Sequence, residues 1–356
     1  MFDQRLSRVR HFLDAARVLR DPGHPLGREA RETLPAATGL SQQNVDWALE
    51  NALEIGARDE DLALLCTRAP LCQRAHVLLS ANVFVGALRA IAIGLASAPT
   101  VCVRPSRRES QMVALLSQAA AGQFQRVETI QPAAGEHCWV YGTDATIADL
   151  RITWPEGVVI HGHGHGYGVV VLEAKDLQNA SDLSSVANAL AVDVAAFDQR
   201  GCLSPRVILV EKSSADARRL SQALADALMR REKQIPMGTV SHDERADVRR
   251  HHDTMCVVGQ AIAAGSGLVT LETQPLPWIL PPIGRVLHVR TVRDAIQDLE
   301  PRTAEMTTIA VKASNPTLGS RLAQAFPHAR ITQVGRMQVP ALDGPVDLRD
   351  VANPVS

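Results

Sequence analysis

Apolar residues recur at helical spacing at the start of the chain: Leu6, Val9, Phe12, Leu13, Ala16 and Leu19 form one face, with arginines between them. Asp21-Pro22-Gly23-His24-Pro25 breaks that helix. Ser41 is placed to cap a further helix, with Asn44 where a full capping box has Glu or Gln. Val45, Ala48, Leu49 and Leu53 supply its apolar face. Residues 1–78 therefore read as a helical layer that covers the next part of the chain and carries no chemistry of its own.

From His76 the period changes. Short apolar runs at 76–79, 100–104, 127–130, 138–141, 158–160 and 169–172 predict strands, with helices over 84–95 and 109–121 between the first three. The same alternation resumes later. Strands are expected at 206–210, 268–271, 285–289, 309–311 and 329–332, and helices at 183–197, 214–233, 245–264, 292–299 and 316–326. Strands alternating with helices predict parallel sheets with right-handed crossovers. Ligands in such sheets sit at the carboxyl ends of the strands. Asn82, Arg104-Pro105-Ser106-Arg107 and Gly142-Thr143-Asp144 all fall at such ends. The tail from Val339 is rich in Pro, Asp and Gly.

Composition narrows the function. The 356 residues suit two domains, or one domain with an extension, the 46% hydrophobic content is enough for a large core, and the formal net charge is -1. That balance speaks against a charge-driven nucleic-acid or membrane-surface binder. Aromatics make up only 3%, which leaves little for base stacking. No apolar run is long enough to span a bilayer, and the charged start, Met1-Phe2-Asp3-Gln4-Arg5, lacks a signal-peptide core. A cytoplasmic location is expected. The 6 cysteines are scattered with no CxxC pair, as suits free thiols in a reducing compartment and gives no zinc framework.

One cysteine stands apart. In Phe197-Asp198-Gln199-Arg200-Gly201-Cys202-Leu203-Ser204-Pro205, a helix-like run leads in and a strand-like run leads out. A helix end, a glycine and a strand start can hold a side chain at the rim of a sheet, where a nucleophile has to stand. The competing reading is a buried structural cysteine. The run His161-Gly162-His163-Gly164-His165-Gly166-Tyr167-Gly168 offers three imidazoles at alternate positions, yet no cysteine or carboxylate motif completes a metal site. It reads as a Gly-rich turn between two strands, and no metal is expected.

These pieces, in this order, resemble the aldehyde dehydrogenase superfamily, and most closely its LuxC-type acyl-CoA reductase branch. Thr38-Gly39-Leu40-Ser41 and the Phe197 to Pro205 segment are similar to that branch. Arg104-Pro105-Ser106-Arg107 stands where the superfamily has a Lys-Pro-Ser-Glu cofactor motif, and Tyr141-Gly142-Thr143 is similar to its Thr-Gly-Ser. Asn82 lies 22 residues before Arg104, in the place of the oxyanion-hole asparagine. The resemblance implies two Rossmann-like α/β domains behind the helical layer. Residues 79–174, with 1–78, would bind a nicotinamide cofactor, 175–332 would carry Cys202, and 333–356 would be a tail or return segment.

The resemblance further implies Cys202 and Asn82 as catalytic residues, with Arg104, Ser106, Arg107, Gly142 and Thr143 on the cofactor. Oxidising members carry a water-activating glutamate in Glu-Leu-Gly-Gly-Lys; the matching Ile160-His161-Gly162-His163 has no carboxylate, and Glu173 falls after the following strand. That departure favours acyl-thioester reduction over aldehyde oxidation, with His161 or His163 exchanging a proton. Arg107, beside Arg108, replaces the glutamate that holds the adenosine ribose, which points to NADPH. Pro281-Pro282-Ile283-Gly284-Arg285 replaces Glu-x-Phe-Gly-Pro, so a ribose carboxylate is missing. The expected function is an NADPH-dependent acyl-CoA or acyl-carrier reductase that forms an aldehyde through a Cys202 thioester. Two alternatives stay open: an acyl-phosphate reductase of the glutamyl-phosphate-reductase kind, and a non-catalytic docking subunit. A fatty or other acyl thioester is the expected substrate and an acyltransferase or synthetase the expected partner. By analogy a strand within 330–339 would pair subunits in a homo-oligomer.

Overall fold

The computed structural model describes residues 2–349. The chain divides into two compact units: residues 2–165 with Ala341–Val346, and Gly166–Pro340 with Asp347–Arg349. Among the described residues no helix is long and apolar enough to cross a membrane.

The first unit opens with four helices, α1 (Phe2–Ala16), α2 (Pro25–Thr38), α3 (Gln42–Asn51) and α4 (Asp59–Arg68). Ser41 accepts from the Asn44 N–H at 3.3 Å and so caps α3 as its sequence predicts. Strands β1 (Arg74–Leu78), β2 (Thr100–Arg104), β3 (Gln125–Arg126), β4 (His137–Tyr141) and β5 (Val159–His163) follow, with α5 (Gly86–Ser97), α6 (Gln111–Ala119) and α7 (Asp144–Thr153) between them. The sheet order is β3-β2-β1-β4-β5, and every pairing is parallel. The strand order reverses between β1 and β4, the switch point at which open α/β sheets bind ligands. Helix α5 packs between the sheet and α1 and α4, and every residue from Ala87 to Ser97 is buried. Its one charge, Arg89, meets Glu54 Oε1 at 2.8 Å and donates to the carbonyls of Ala341 (2.8 Å) and Gly344 (2.6 Å).

The second unit contains β6 (Tyr167–Glu173), α8 (Ala180–Ala195), β7 (Pro205–Glu211), α9 (Ser214–Gln234), α10 (His242–Val258), β8 (Gly259–Ala264), β9 (Gly267–Glu272), β10 (Val286–Val292), α11 (Ala295–Leu299), β11 (Met306–Val311), α12 (Pro316–Ala325) and β12 (Arg330–Gln333). The sheet runs β12-β11-β6-β7-β10-β9-β8, with only the β8/β9 pair antiparallel. Alternate residues of the central strands face opposite ways. Val170, Leu172, Ile208 and Val210 pack under α8 and α9 with Leu190, Leu220 and Leu224. Val169, Val171, Val207 and Leu209 pack with Leu318, Leu322 and Phe326 of the α12 side. Burial on both faces is why these strands read as continuous apolar runs.

Three elements differ from the sequence reading. Residues 245–264 are helix only to Val258; Gly259–Ala264 turns back as β8 against β9. The hinge is Gly265, whose φ of 69° admits the tight reversal. Strand pairing at β3 covers Gln125–Arg126 rather than 127–130. The His-Gly run is not all turn, because His161, Gly162 and His163 belong to β5 and pair with Trp139, Val140 and Tyr141.

A buried polar chain crosses the second sheet. His251 of α10 pairs with Thr270 Oγ1 at 3.2 Å, Thr270 with His288 Nδ1 at 2.9 Å, and His288 Nε2 with Glu272 at 3.3 Å. Burial first, then the charges of His288 and Arg206, push His251 down to about 4. An unfolded histidine titrates near 6.5, so unfolding takes up a proton between those values. Stability is therefore full above pH 6.5 and falls as the pH drops toward 4. The melting temperature followed from pH 7.5 to 4.5 should show this decline, and His251→Gln should flatten it; equal slopes in both proteins would refute the assignment.

Candidate active site

Helix α8 ends at Ala195, and the chain then bends through Phe197, Asp198 and Gln199, all with positive φ (54°, 51° and 64°). Left-handed backbone costs a residue with a β-carbon roughly 1–2 kcal/mol, so three in succession need strong support. All three side chains are buried. Gln199 donates to the carbonyls of Pro205 and Val286, both at 2.7 Å, and accepts from the Val286 N–H at 2.8 Å. Asp198 Oδ1 receives the Arg285 guanidinium at 3.1 and 2.7 Å, and its Oδ2 receives the Gly238 N–H at 3.0 Å. Arg285 also donates to the Ile235 carbonyl at 2.9 Å. The segment 281–285, read from sequence as a degraded ribose site, thus ends in a residue that braces the cysteine turn.

Cys202 follows, partly exposed, at the amino edge of β6, β7 and β11. Two β-bulges flank it. Arg206 is the extra residue of β7 and Thr307 that of β11, each beside the first residues of β6. Bulges re-aim side chains next to active sites, and here the buried Thr307 hydroxyl points between the carbonyls of Cys202 and Tyr167. On the other side, the Ser204 N–H closes onto Gly201 O at 3.0 Å and the Ser204 carbonyl accepts from Gly168 N–H at 2.9 Å. A β-carbon at Gly168 would lie 2.6 Å from the Leu203 carbonyl oxygen, so the approach of β6 to this loop requires glycine. Burial pushes the thiols of Cys66, Cys72 and Cys102 up, and that of Cys138 up to about 12, which keeps all four protonated.

The first unit places the other expected residues. Asn82 is exposed on the loop after β1. Gly142 and Thr143 follow β4 at the switch point, and the Thr143 hydroxyl caps α7 by accepting from Thr146 N–H at 3.2 Å. Arg104, Ser106 and Arg107 line a cleft of about 570 Å³ at the carboxyl ends of β2 and β3, together with Ser110, Arg126 and Glu128. Arg104 Nε donates to the Glu128 carbonyl at 3.1 Å, and Ser106 Oγ accepts from Arg108 N–H at 3.2 Å. A cleft with three guanidinium groups and one carboxylate fits the phosphate-bearing adenosine end of a nicotinamide cofactor. The nearby carboxyl of Glu109 is spent on the Met112 N–H at 2.8 Å, and burial raises its pKa.

His161 lies within β5 in a ladder of stacked rings. It stacks on Trp139 at 4.6 Å, and its Nε2 lies 2.9 Å from His137 Nδ1; Tyr141 and His163 stack at 4.6 Å. Among the described residues no group of three or more His, Cys, Asp or Glu side chains is arranged to hold a metal. Thr307 and Arg126 carry no signal in the sequence, and Arg285 reads there as part of a replaced ribose segment rather than as a brace for the cysteine turn. Only the Asp198-Gln199 pair, inside the cysteine segment, stood where a signal could be sought.

Comparison with known proteins bears on both units. Among solved structures the fold is similar to an oxidoreductase from Marinobacter aquaeolei (13% identity, TM-score 0.71, 96% of this chain and 83% of that one). It is also similar to an NAD-dependent benzaldehyde dehydrogenase from Corynebacterium glutamicum (13%, 0.69, 92% and 81%). A third is an NADP-dependent glyceraldehyde-3-phosphate dehydrogenase from Bacillus halodurans (13%, 0.67, 97% and 80%). At such identities the likeness establishes the aldehyde dehydrogenase fold. No curated protein matches the sequence. The model of the acyl-CoA reductase (LuxC) family matches residues 126–352, a span that takes in β4, β5, the whole second unit and the Cys202 turn. With well over half of its length covered by that match, the chain belongs to the LuxC acyl-CoA reductase family.

Proposed function

We propose that the protein reduces an acyl thioester to an aldehyde, with Cys202 as acyl acceptor and NADPH as the reductant. The observation that carries this reading is the Cys202 turn: a partly exposed thiol on a braced loop at the edge of a sheet, in a chain of the acyl-CoA reductase family. The Cys202 thiolate attacks the thioester carbonyl. The tetrahedral oxyanion collapses with cleavage of the C–S bond to CoA or a carrier, and the departing thiolate takes up the proton that Cys202 gave up. Asn82 is the side-chain donor for that oxyanion, a role worth about 2.7–4 kcal/mol where it has been measured. The nicotinamide cofactor, when bound, supplies the hydride that brings the acyl carbon to the aldehyde level and frees the Cys202 thiolate.

The first unit supports the reductive direction. Segment 160–163 of β5 carries His161 and His163 and no carboxylate, so the water-activating glutamate of the oxidising members has no counterpart there. His161, hydrogen-bonded to His137, would be the group that exchanges a proton. Arg104, Gly142 and Thr143 would hold the cofactor, and Arg107 with Arg126 would pair with a 2′-phosphate against the single carboxylate of Glu128.

The test is cofactor consumption with an acyl-CoA, together with cofactor affinity by calorimetry. NADPH is expected to bind more tightly than NADH. Arg107→Gln combined with Arg126→Gln is expected to weaken NADPH by roughly 10²–10⁴-fold, the worth of two charge-assisted contacts, with NADH unchanged. Equal affinity of the wild type for the two cofactors would remove NADPH. Failure of every acyl-CoA to drive consumption of either would remove the function.

A further inference from the structure

We propose that Asp198, Gln199 and Arg285 are positioning residues that hold the Cys202 thiol in its reacting geometry, an inference that rests on Cys202 being the acyl acceptor. Phe197, Asp198 and Gln199 hold left-handed backbone, which glycine adopts readily and aspartate occasionally, but phenylalanine and glutamine rarely. Such conformations persist only where their surroundings over-determine them, and they gather at functional sites. Here hydrogen bonds supply that support. Gln199 spends both amide protons and its oxygen on the first residues of β7 and β10, and its bond to the Pro205 carbonyl closes the interval of 6 residues that contains Cys202.

The Asp198–Arg285 pair is the second brace. Both members are buried, at 1% and 3% side-chain exposure, and both have positive φ, so the pair joins two strained backbones. Asp198 also takes the Gly238 N–H, and Arg285 the carbonyls of Ile235 and, at 3.3 Å, Pro236. The link between α9 and α10 is thereby fastened to the residues just before Cys202. Arg200 adds to it by donating to the Thr239 carbonyl at 2.7 Å and meeting Glu244 at 3.3 Å. Thr307 fixes the Cys202 carbonyl from the other side. The backbone at Cys202 is thus set from both directions, and the aim of its thiol and N–H is built in before substrate arrives. Displacing a reacting group by about 1 Å can cost 10²-fold in rate.

The deciding variant is the double substitution Asp198→Asn with Arg285→Met. It removes both buried charges together, which spares the fold the cost of one left alone, while the asparagine oxygen can still accept from Gly238. The expected result is a melting temperature near wild type, kcat lower by about 10²-fold and KM little changed. Alkylation of the Cys202 peptide by iodoacetamide should slow, with its pH–rate curve displaced, while the exposed Cys256 peptide reacts as before. Arg285→Lys, which keeps the charge and loses the fork, gives the same comparison should the double variant not fold. A folded variant with wild-type kcat and a wild-type Cys202 alkylation profile would overturn the proposal. Should the wild type turn over no acyl-CoA, the proposed function fails, and the alkylation profiles alone decide whether these residues set the thiol.

Discussion

Cys202→Ala is expected to yield a folded protein that consumes no NADPH on addition of acyl-CoA, a fall on the order of 10⁴–10⁶-fold in kcat, as when a covalent nucleophile is removed from other enzymes. The reason for so large an effect is that, in the proposed reaction, the side chain forms the bond that splits one difficult transfer into two easier ones. Neither Thr307 nor Gln199 can replace it, because each is buried and committed to backbone partners. Stability should hardly change, since Cys202 is partly exposed and its loop is held by neighbouring residues. Intact mass spectrometry without cofactor supplies the second readout. Wild type should gain one acyl group and release one CoA thiol, and Cys202→Ala neither. Cys256→Ala, at an exposed position of α10, should behave as wild type. An acyl adduct that survives in Cys202→Ala would place the nucleophile elsewhere.

Arg89→Met is expected to cost about 3–5 kcal/mol, the effect of removing one partner from a buried ion pair. Arg89 is 2% exposed and serves Glu54 and two backbone carbonyls. The methionine fills much of the volume but takes the guanidinium away from Glu54, whose side chain is 14% exposed, and from the carbonyls of Ala341 and Gly344. Lysine should not rescue it, because a single ammonium cannot reach three acceptors arranged around a planar fork. At about 2–4 °C per kcal/mol for a body of this size, the melting temperature should fall by roughly 6–20 °C. A shift below 2 °C would show that the three contacts contribute little.

The central strands were legible because burial on both faces demands near-continuous Val, Ile and Leu, as in Val169–Leu172 or Val207–Val210. Strand β8 was not. Gln260-Ala261-Ile262-Ala263 is half-buried at a sheet edge, lacks β-branched density and continues the pattern of the preceding helix. Its signal was the Gly265-Ser266-Gly267 reversal, which serves equally well as the end of a helix. Cys202 could be picked out because glycine and proline punctuate its loop. Its supports could not, because Arg285 and Thr307 lie 87 and 105 residues from the groups they hold. Their roles depend on which strand lies beside which, and on a bulge that shifts the register by one residue. The arginine cleft was half legible: Arg104 and Arg107 share one strand end, whereas Arg126 joins them only through the pairing of β3 with β2.

The two carbonyls that Arg89 requires stand 252 and 255 residues further along the chain. During synthesis at about 5–20 residues per second, α5 leaves the ribosome some 12–50 s before they exist. Throughout that interval the helix has a guanidinium that its finished surroundings bury, and these two acceptors are not yet made. The first unit is therefore born early and completed last. Its final closure waits until the second unit has been translated, so the order in which the chain is made and the order in which it can be sealed are opposite.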